Sequence, residues 1–254
     1  MLPTPSTSHV CFDRVYEPAE DSYLLLDTLS SSSEAAFLRD RFADAASAPP
    51  LVLEVGVGSG VVLAFAAANA SSIFGRNDVL TLGTDINSFA CKAAAQTVQN
   101  ARKESSGGRS IFLDVVNGDL ATSIRPQSVG VFIFNPPYVP AELPDFSRHD
   151  NFNALPVDQP KTTFDQDSYL LELSYAGGEG GMVVTNRMLE QIPGILELER
   201  GVAYVLLCAQ NKPEEVKRQI RGWGTGWKAE TVSKSGKQAG WEKLQILRIW
   251  KEGG

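Results

Sequence analysis

The chain has 254 residues, a length that suits one α/β domain, and its 23 basic against 30 acidic side chains give a formal charge of -7. This acidic balance disfavours a surface that wraps duplex nucleic acid, because such surfaces neutralise phosphates with basic groups. The three cysteines and two histidines lack ligand spacing, which disfavours a metal site, and the lack of a signal peptide or membrane-length apolar run favours the cytoplasm or the nucleus.

The first part of the sequence changes character near residue 16. Residues 1 to about 15 are rich in Pro, Ser and Thr and are predicted to form a flexible tail, with a single domain over residues 16–254. A helix is predicted from Asp21, because leucines recur there at helical spacing behind acidic residues. The run Pro50–Val55 is short, apolar and followed by glycines, which is typical of a buried parallel strand, and Val61–Ala70 is predicted as the next helix.

Strands and helices then alternate along the chain. Further strands are predicted at Val79–Thr84, Ser110–Val116, Val129–Phe134, Val202–Ala209, Lys228–Val232 and Leu244–Lys251. Helices are predicted at about Ser88–Lys103, Arg187–Leu198 and Pro213–Arg221, and a proline-containing loop at Pro140–Asp167. This order indicates an α/β fold with a seven-stranded, mostly parallel sheet that ends in an antiparallel hairpin.

A glycine-rich turn follows the first predicted strand. Glycine occupies positions 56, 58 and 60, the first of them two residues after Glu54, and lets the backbone turn sharply and approach a ligand. A dinucleotide-binding fingerprint would have its third glycine at position 61, where this chain has Val61. Because Glu54 would repel a pyrophosphate, the turn favours a nucleoside-like ligand without one, although a simple tight turn stays open.

Acidic residues follow the next two predicted strands. Asp85 can accept hydrogen bonds from both hydroxyls of a ribose, or it can cap the helix that begins near Ser88. After the third strand, Asp119 can accept from the exocyclic amine of adenine, and the backbone amide of Leu120 can donate to a ring nitrogen. An ordinary turn is the alternative for this second pair.

The tetrapeptide Asn135-Pro136-Pro137-Tyr138 directly follows the strand Val129–Phe134. Parallel strands present their carboxyl ends at one edge, so this segment faces the same crevice as the turns above. The two prolines stiffen the loop. The side-chain oxygen of Asn135 and the carbonyl of Pro136 can accept both hydrogens of an NH2 group, over which Tyr138 can stack. The tetrapeptide therefore predicts a site that orients a planar amide or amino nitrogen for group transfer.

With these motifs the chain resembles the class I amino-methyltransferases that carry an NPPY motif, and among them the HemK-like glutamine methyltransferases of peptide-chain release factors. The resemblance extends from Tyr16 to the C-terminus. Tyr16–Ser22 resembles the N-terminal signature of the eukaryotic and archaeal branch, Tyr175–Gly181 resembles a branch motif that usually begins with Trp, and Lys237–Gly240 resembles the turn of its C-terminal hairpin.

The resemblance implies a Rossmann-like class I methyltransferase fold with S-adenosylmethionine as cofactor. The implied cofactor contacts are Ser22, Glu54, Gly56, Gly58, Asp85, Asp119, Leu120 and Asn135. The implied catalytic contacts are Asn135, Pro136, Pro137 and Tyr138. The implied substrate is the glutamine amide in the Gly-Gly-Gln motif of a eukaryotic-type class I release factor, and the product is N5-methylglutamine.

A partner also follows from the resemblance, namely a small zinc-binding activating subunit that covers apolar surface along a sheet edge. The strand Ser110–Val116 is the predicted docking edge, because Ile111, Phe112 and Leu113 would be an aggregation hazard if left uncovered. Zinc would belong to that subunit, and none is expected in this chain.

Three alternatives stay open. An adenine-N6 DNA methyltransferase acts on an amino group of the same planar geometry, but this acidic chain offers neither a basic stripe nor room for a target-recognition domain. A protein lysine methyltransferase must first deprotonate its amine, and the NPPY motif offers no base. A non-catalytic binding module is the third, although loss of catalysis usually alters the motifs, which are all present in this sequence.

Overall fold

A computed structural model describes residues 2–105, 110–154, 162–236 and 243–253. Its strands are β1 (Leu51–Val55), β2 (Leu80–Asp85), β3 (Ile111–Asn117), β4 (Val131–Phe134), β5 (Val202–Cys208), β6 (Trp227–Lys234) and β7 (Leu244–Lys251). They form one sheet in the order β3-β2-β1-β4-β5-β7-β6. Strands β1 to β5 pair in parallel, and β7 runs antiparallel to both of its neighbours. The prediction of a seven-stranded, mostly parallel sheet with a C-terminal antiparallel hairpin is confirmed.

Helices connect and cover these strands. They are α1 (Glu20–Ser30), α2 (Ser32–Phe42), α3 (Val61–Ala68), α4 (Ala70–Phe74), α5 (Ser88–Glu104), α6 (His149–Phe152), α7 (Phe164–Tyr175), α8 (Val183–Ile195) and α9 (Pro213–Arg221). Side chains cap several of them, as when the Asn87 side chain accepts from the backbone amides of Phe89 and Ala90 at the start of α5. Each helix predicted from the sequence is present, within a few residues of the expected bounds.

Two regions differ from the sequence prediction. Helix α2 lies where no element was expected, and it begins at Ser32, after the N-cap residue Ser31, whose side chain accepts from the amide of Glu34. The predicted loop Pro140–Asp167 contains α6 and the first turn of α7. The side chain of Thr163 caps α7 by accepting from the amide of Gln166. Short helices with polar caps resemble loops in sequence, so their periodic signal is weak.

The core lies on both faces of the sheet, as the alternation along β4 shows. Val131 and Ile133 pack on the face covered by α1 to α4, whereas Phe132 and Phe134 pack on the face covered by α8 and α9. Strands β4 and β5 are buried along their whole length. The turns at their carboxyl ends are therefore attached to a rigid, doubly covered scaffold.

The segment predicted as a flexible tail packs against the domain. Residues 2–15, all described, form turns without a helix or strand, and Val10 and Val15 are buried together with Ala90 of α5. The backbone carbonyl of Arg14 accepts from Asn87 Nδ2 at 2.8 Å. These widely spaced apolar residues are hard to recognise in a composition dominated by Pro, Ser and Thr.

Across the described ranges, none of the helices has both the length and the apolar character to cross a bilayer.

Candidate active site

A cavity of about 270 Å³ lies at the carboxyl ends of the parallel strands. Every residue suggested by the sequence as a site residue lines it, namely Ser22, Glu54, Gly56, Gly58, Asp85, Asp119, Leu120, Asn135, Pro136, Pro137 and Tyr138. The N-terminal segment and residues of the 139–176 region, including Phe146 and Leu170, complete the wall. Such a position at the strand ends is where open α/β sheets bind their ligands.

The glycine turn after β1 forms the floor of the cavity. Gly56, Gly58 and Gly60 all have positive φ, at 67°, 51° and 78°, a conformation that other residues adopt only with strain. A Cβ on Gly60 would lie 2.6 Å from Ala94 Cα of α5, so this glycine also allows close helix packing. A Cβ on Gly58 would meet no described atom within 4 Å, so only its φ and the open cavity account for glycine there.

Asp85 joins the turns that follow β1 and β2. Its Oδ2 accepts from the amide of Gly58 at 2.9 Å, and its Oδ1 accepts from the amide of Asn87 at 2.8 Å. Burial raises the pKa of Asp85 to about 6, and the backbone donors oppose part of that rise. The cap of α5 is Asn87, so the alternative reading of Asp85 as that cap was wrong.

Glu54 is a buried carboxyl group in the wall of the cavity. Burial raises its pKa well above the usual value, opposed by a backbone hydrogen bond from Leu63. Its Oε2 atom has no hydrogen-bond partner among the described residues. A buried carboxylate of this kind is costly unless a cationic or donor group approaches it, so Glu54 suits a ligand that carries an amino group.

The turn after β3 supplies Asp119 and Leu120. Asp119 is partly exposed and forms an ion pair with Arg187 of α8. Leu120 has a positive φ of 53°, and its carbonyl accepts from Thr84 Oγ1 at 2.9 Å. The strained backbone is thus tied to the end of β2, which places this turn beside Asp85.

The NPPY loop presents Asn135 to the cavity. Asn135 Nδ2 donates to Asp21 Oδ2 at 3.1 Å, and Asn135 Oδ1 is buried without a partner in the part of the chain that the structure describes. An amide oxygen in this state is a candidate acceptor for a ligand's NH2 group. Two residues that line the cavity therefore carry a buried acceptor atom without a partner among the described residues, Glu54 Oε2 and Asn135 Oδ1.

The glycine motif Tyr175–Gly181 packs against the back of the NPPY loop. A Cβ on Gly177 would lie 2.3 Å from the Pro137 carbonyl oxygen, and one on Gly181 would lie 2.0 Å from the Tyr138 carbonyl oxygen. Asn211 supports the same loop, because its Nδ2 donates to the Tyr138 carbonyl at 3.3 Å and its Oδ1 accepts from the Cys208 amide at 2.8 Å. Contacts this close leave the loop little freedom to move.

Two residues near the NPPY loop were missed in the sequence. Asp21 lies in the Tyr16–Ser22 signature but was predicted only as an acidic group at a helix N-terminus. Asn211 lies in a short 3-10 helix after β5 that carries no motif. The turn Lys237–Gly240, which resembles the family's hairpin turn, lies outside the described residues. Within the described ranges, no cluster of three or more His, Cys, Asp or Glu residues is arranged to hold a metal ion.

The residues around the cavity fit S-adenosylmethionine. The buried carboxyl of Glu54 suits the cofactor's cationic amino group, the Asp85 carboxyl suits ribose hydroxyls, and the glycine turn leaves room between them. Together with the NPPY loop and the sheet order, these features define a class I S-adenosylmethionine-dependent methyltransferase.

Comparison with known proteins narrows the class to one family. The eRF1 methyltransferase catalytic subunit mtq2 of Schizosaccharomyces pombe is 32% identical over 256 residues, which cover 100% of this chain and 97% of that protein. Methyltransferase HEMK2 of Homo sapiens is 32% identical over 252 residues, or 98% of this chain and 96% of that protein. The chain therefore belongs to the HemK-like family that contains these two methyltransferases. No protein-family model matches the chain.

Proposed function

We propose that this chain transfers a methyl group from S-adenosylmethionine to the glutamine side-chain amide in the Gly-Gly-Gln motif of a eukaryotic-type class I release factor. The observation that carries the proposal is Asn135 Oδ1, a buried acceptor in the cavity wall with no partner among the residues described. A relative whose name states action on eRF1 supports the choice of substrate.

In the proposed assignment, each turn at the strand ends holds one part of the cofactor. Glu54 accepts from the amino group, Asp85 accepts from the ribose hydroxyls, and Asp119 with the Leu120 amide contacts the adenine. Ser22 and the glycines Gly56 and Gly58 line the remaining surface. When bound, S-adenosylmethionine supplies an electrophilic methyl group on its sulfonium.

The NPPY loop orients the acceptor nitrogen. Asn135 Oδ1 and the Pro136 carbonyl accept its two hydrogens, and Tyr138 covers the amide plane. An amide nitrogen is a weak nucleophile, so much of the acceleration must come from holding it in line with the methyl group, and well-oriented reactants gain roughly 7–11 kcal/mol in this way. The rigid support of the loop by Gly177, Gly181 and Asn211 serves that requirement.

The proposal includes a small zinc-binding activating subunit on the edge strand β3. In the described sheet β3 has a neighbour on one side, and Ile111 and Leu113 are 47% and 49% exposed. An uncovered edge strand with apolar side chains can pair with another chain and cause aggregation, so a partner bound there would prevent such aggregation. Leu113→Arg should abolish co-purification with the subunit, whereas Leu198→Arg, at an exposed leucine away from β3, should retain it.

The deciding experiment measures transfer of a radiolabelled methyl group by the chain co-expressed with the activating subunit. The acceptors are a release factor with its Gly-Gly-Gln glutamine and the same factor with alanine at that position. We expect label only on the intact factor. Equal labelling of both factors, or transfer only to an adenine-containing DNA or to a lysine peptide included in parallel, would contradict the proposal.

A further inference from the structure

Asp21, at the first turn of α1, is a buried charge beside the NPPY loop. It is 3% exposed and lines the cavity. Its Oδ1 accepts from the Ser22 amide at 2.6 Å and from Ser22 Oγ at 3.2 Å, and its Oδ2 accepts from Asn135 Nδ2 at 3.1 Å. Both oxygens of this carboxylate are therefore engaged, and one of them joins α1 to the loop 114 positions away.

This contact decides which end of the Asn135 amide faces the cavity. A side-chain amide has a donor end and an acceptor end of nearly the same shape, and rotation by 180° exchanges them. An ionised carboxylate only accepts hydrogen bonds, so Asp21 is compatible with one orientation, in which Nδ2 points at Asp21. The acceptor Oδ1 is then the end left for a ligand, which agrees with its lack of a partner in the described ranges.

The opposite orientation would be unproductive. It would place Asn135 Oδ1 against the Asp21 carboxylate, an acceptor against an acceptor, and would present Nδ2 to the hydrogens of the substrate's NH2 group. A hydrogen bond from Nδ2 to a charged acceptor also polarises the amide and increases the negative charge on Oδ1. Asp21 thus selects the orientation in which Asn135 Oδ1 is left for the substrate, and it makes that oxygen a stronger hydrogen-bond acceptor.

We propose that Asp21 is a positioning residue, whose carboxylate fixes the Asn135 amide so that Oδ1 receives the NH2 group of the methyl acceptor. The inference rests on the proposed function, since it specifies how Asn135 orients that nitrogen. Asp21 acts through Asn135, because its contact with the NPPY loop is the hydrogen bond that it accepts from Asn135 Nδ2.

The test is Asp21→Asn, which keeps the size of the side chain but lets it present either a donor or an acceptor to Asn135. Both amide orientations then become accessible, and we expect kcat to fall by about 10- to 100-fold, the effect of losing a hydrogen bond to a charged group. The cofactor Kd and the KM for the release factor should stay within about twofold. Asp21→Glu, which only accepts, should recover part of kcat. Asp27→Asn, at an exposed position of the same helix, is the matched control and should match the unmodified enzyme.

Two results would overturn the inference. One is an unchanged kcat in Asp21→Asn, and the other is a parallel loss of cofactor affinity and kcat, which would indicate a general distortion of the pocket. Should the variant not fold, the side-chain NH2 resonance of Asn135 in the unmodified protein decides, because a hydrogen bond to Asp21 shifts it downfield and a solvent-like shift contradicts the contact. Failure of the proposed function is distinguishable, because the unmodified enzyme would then leave the Gly-Gly-Gln glutamine unlabelled while the Asn135 resonance still reported the contact.

Discussion

Two buried glutamates, Glu34 and Glu54, are each 2% exposed but differ in their hydrogen-bond partners. Glu34 of α2 is satisfied within the protein, since its two oxygens accept from Arg248 Nη1 at 2.9 and 3.1 Å and from the Tyr204 hydroxyl at 2.9 Å. Glu54 of β1 lines the cavity, and its Oε2 meets no donor from the described chain. The carboxyl group that holds the fold together is thus paired within the protein, whereas the one at the cavity, which we assign to the cofactor's amino group, lacks a partner among the described residues.

The largest functional effect is expected from the second incomplete group in the cavity, Asn135. Asn135→Ala removes the acceptor that we assign to the substrate's NH2 group and should lower the rate of transfer by about 100- to 1,000-fold, the usual effect of losing one preorganised hydrogen bond in an active site. Binding of S-adenosylmethionine, measured by calorimetry, should be nearly unchanged. Asn186→Ala, at an exposed position of α8, is the control and should transfer normally. Equal activity of the two variants would contradict the proposed mechanism.

The paired glutamate should show its effect in stability. Glu34→Gln leaves Arg248 without its buried counterion, and breaking such a pair costs about 3 kcal/mol of unfolding free energy. We expect the lower end of the usual range, because Glu230 still lies 3.2 Å from Arg248 Nη2. Denaturant unfolding of the protein without cofactor measures this change. A cofactor affinity that fell along with stability would show that the two regions are not independent.

The same substitution at the unpaired glutamate should give the reverse pattern. Glu54→Gln removes the carboxylate that we assign to the cofactor's amino group, so the Kd for S-adenosylmethionine should rise about 10- to 100-fold. The unfolding free energy of the protein without cofactor should stay the same or rise, because the substitution removes a buried carboxyl group whose ionisation burial disfavours. Glu34→Gln and Glu54→Gln serve as controls for each other, since one should affect stability and the other cofactor affinity. A large loss of stability in Glu54→Gln would contradict this difference between the two glutamates.

The smallest effect concerns pH. Burial raises the pKa of Asp85 to about 6, so below that pH the folded carboxyl binds a proton that the unfolded chain, with a pKa of about 4, does not yet bind. The unliganded protein therefore gains stability as the pH falls from about 6 to about 4, and this contribution is lost as the pH rises through about 6. The ribose hydroxyls that we assign to Asp85 need the ionised form as acceptor, so the cofactor Kd should rise by up to about tenfold for each pH unit below that point.

Calorimetry between pH 7.5 and 5 measures this dependence, and Asp85→Asn should flatten it. Protonation of Glu54, whose pKa burial also raises, acts in the same direction, so the variant isolates the contribution of Asp85. If the cofactor Kd of Asp85→Asn changed with pH as steeply as that of the unmodified protein, the pH dependence would belong to groups other than Asp85.

The sequence predicted the sheet and the position of the cavity because both follow from local patterns. Buried strands such as β4 are continuous apolar runs, and parallel strands bring the turns at their carboxyl ends together. Local patterns do not report contacts between distant residues. The partners of Asp21, Asn211 and Glu34 were missed for that reason, because each is fixed by a hydrogen bond to a separate part of the chain.

The contact between Glu34 and Arg248 also bears on how the protein folds. It joins residues 214 positions apart, so it forms only when almost the whole described chain has been closed into one loop. Contacts of such long separation slow folding and tend to form late, after the helices and their neighbouring strands. Loss of this pair should therefore act mainly on the unfolding rate and leave the refolding rate nearly unchanged. The pair would then determine the lifetime of the folded state rather than the rate of folding.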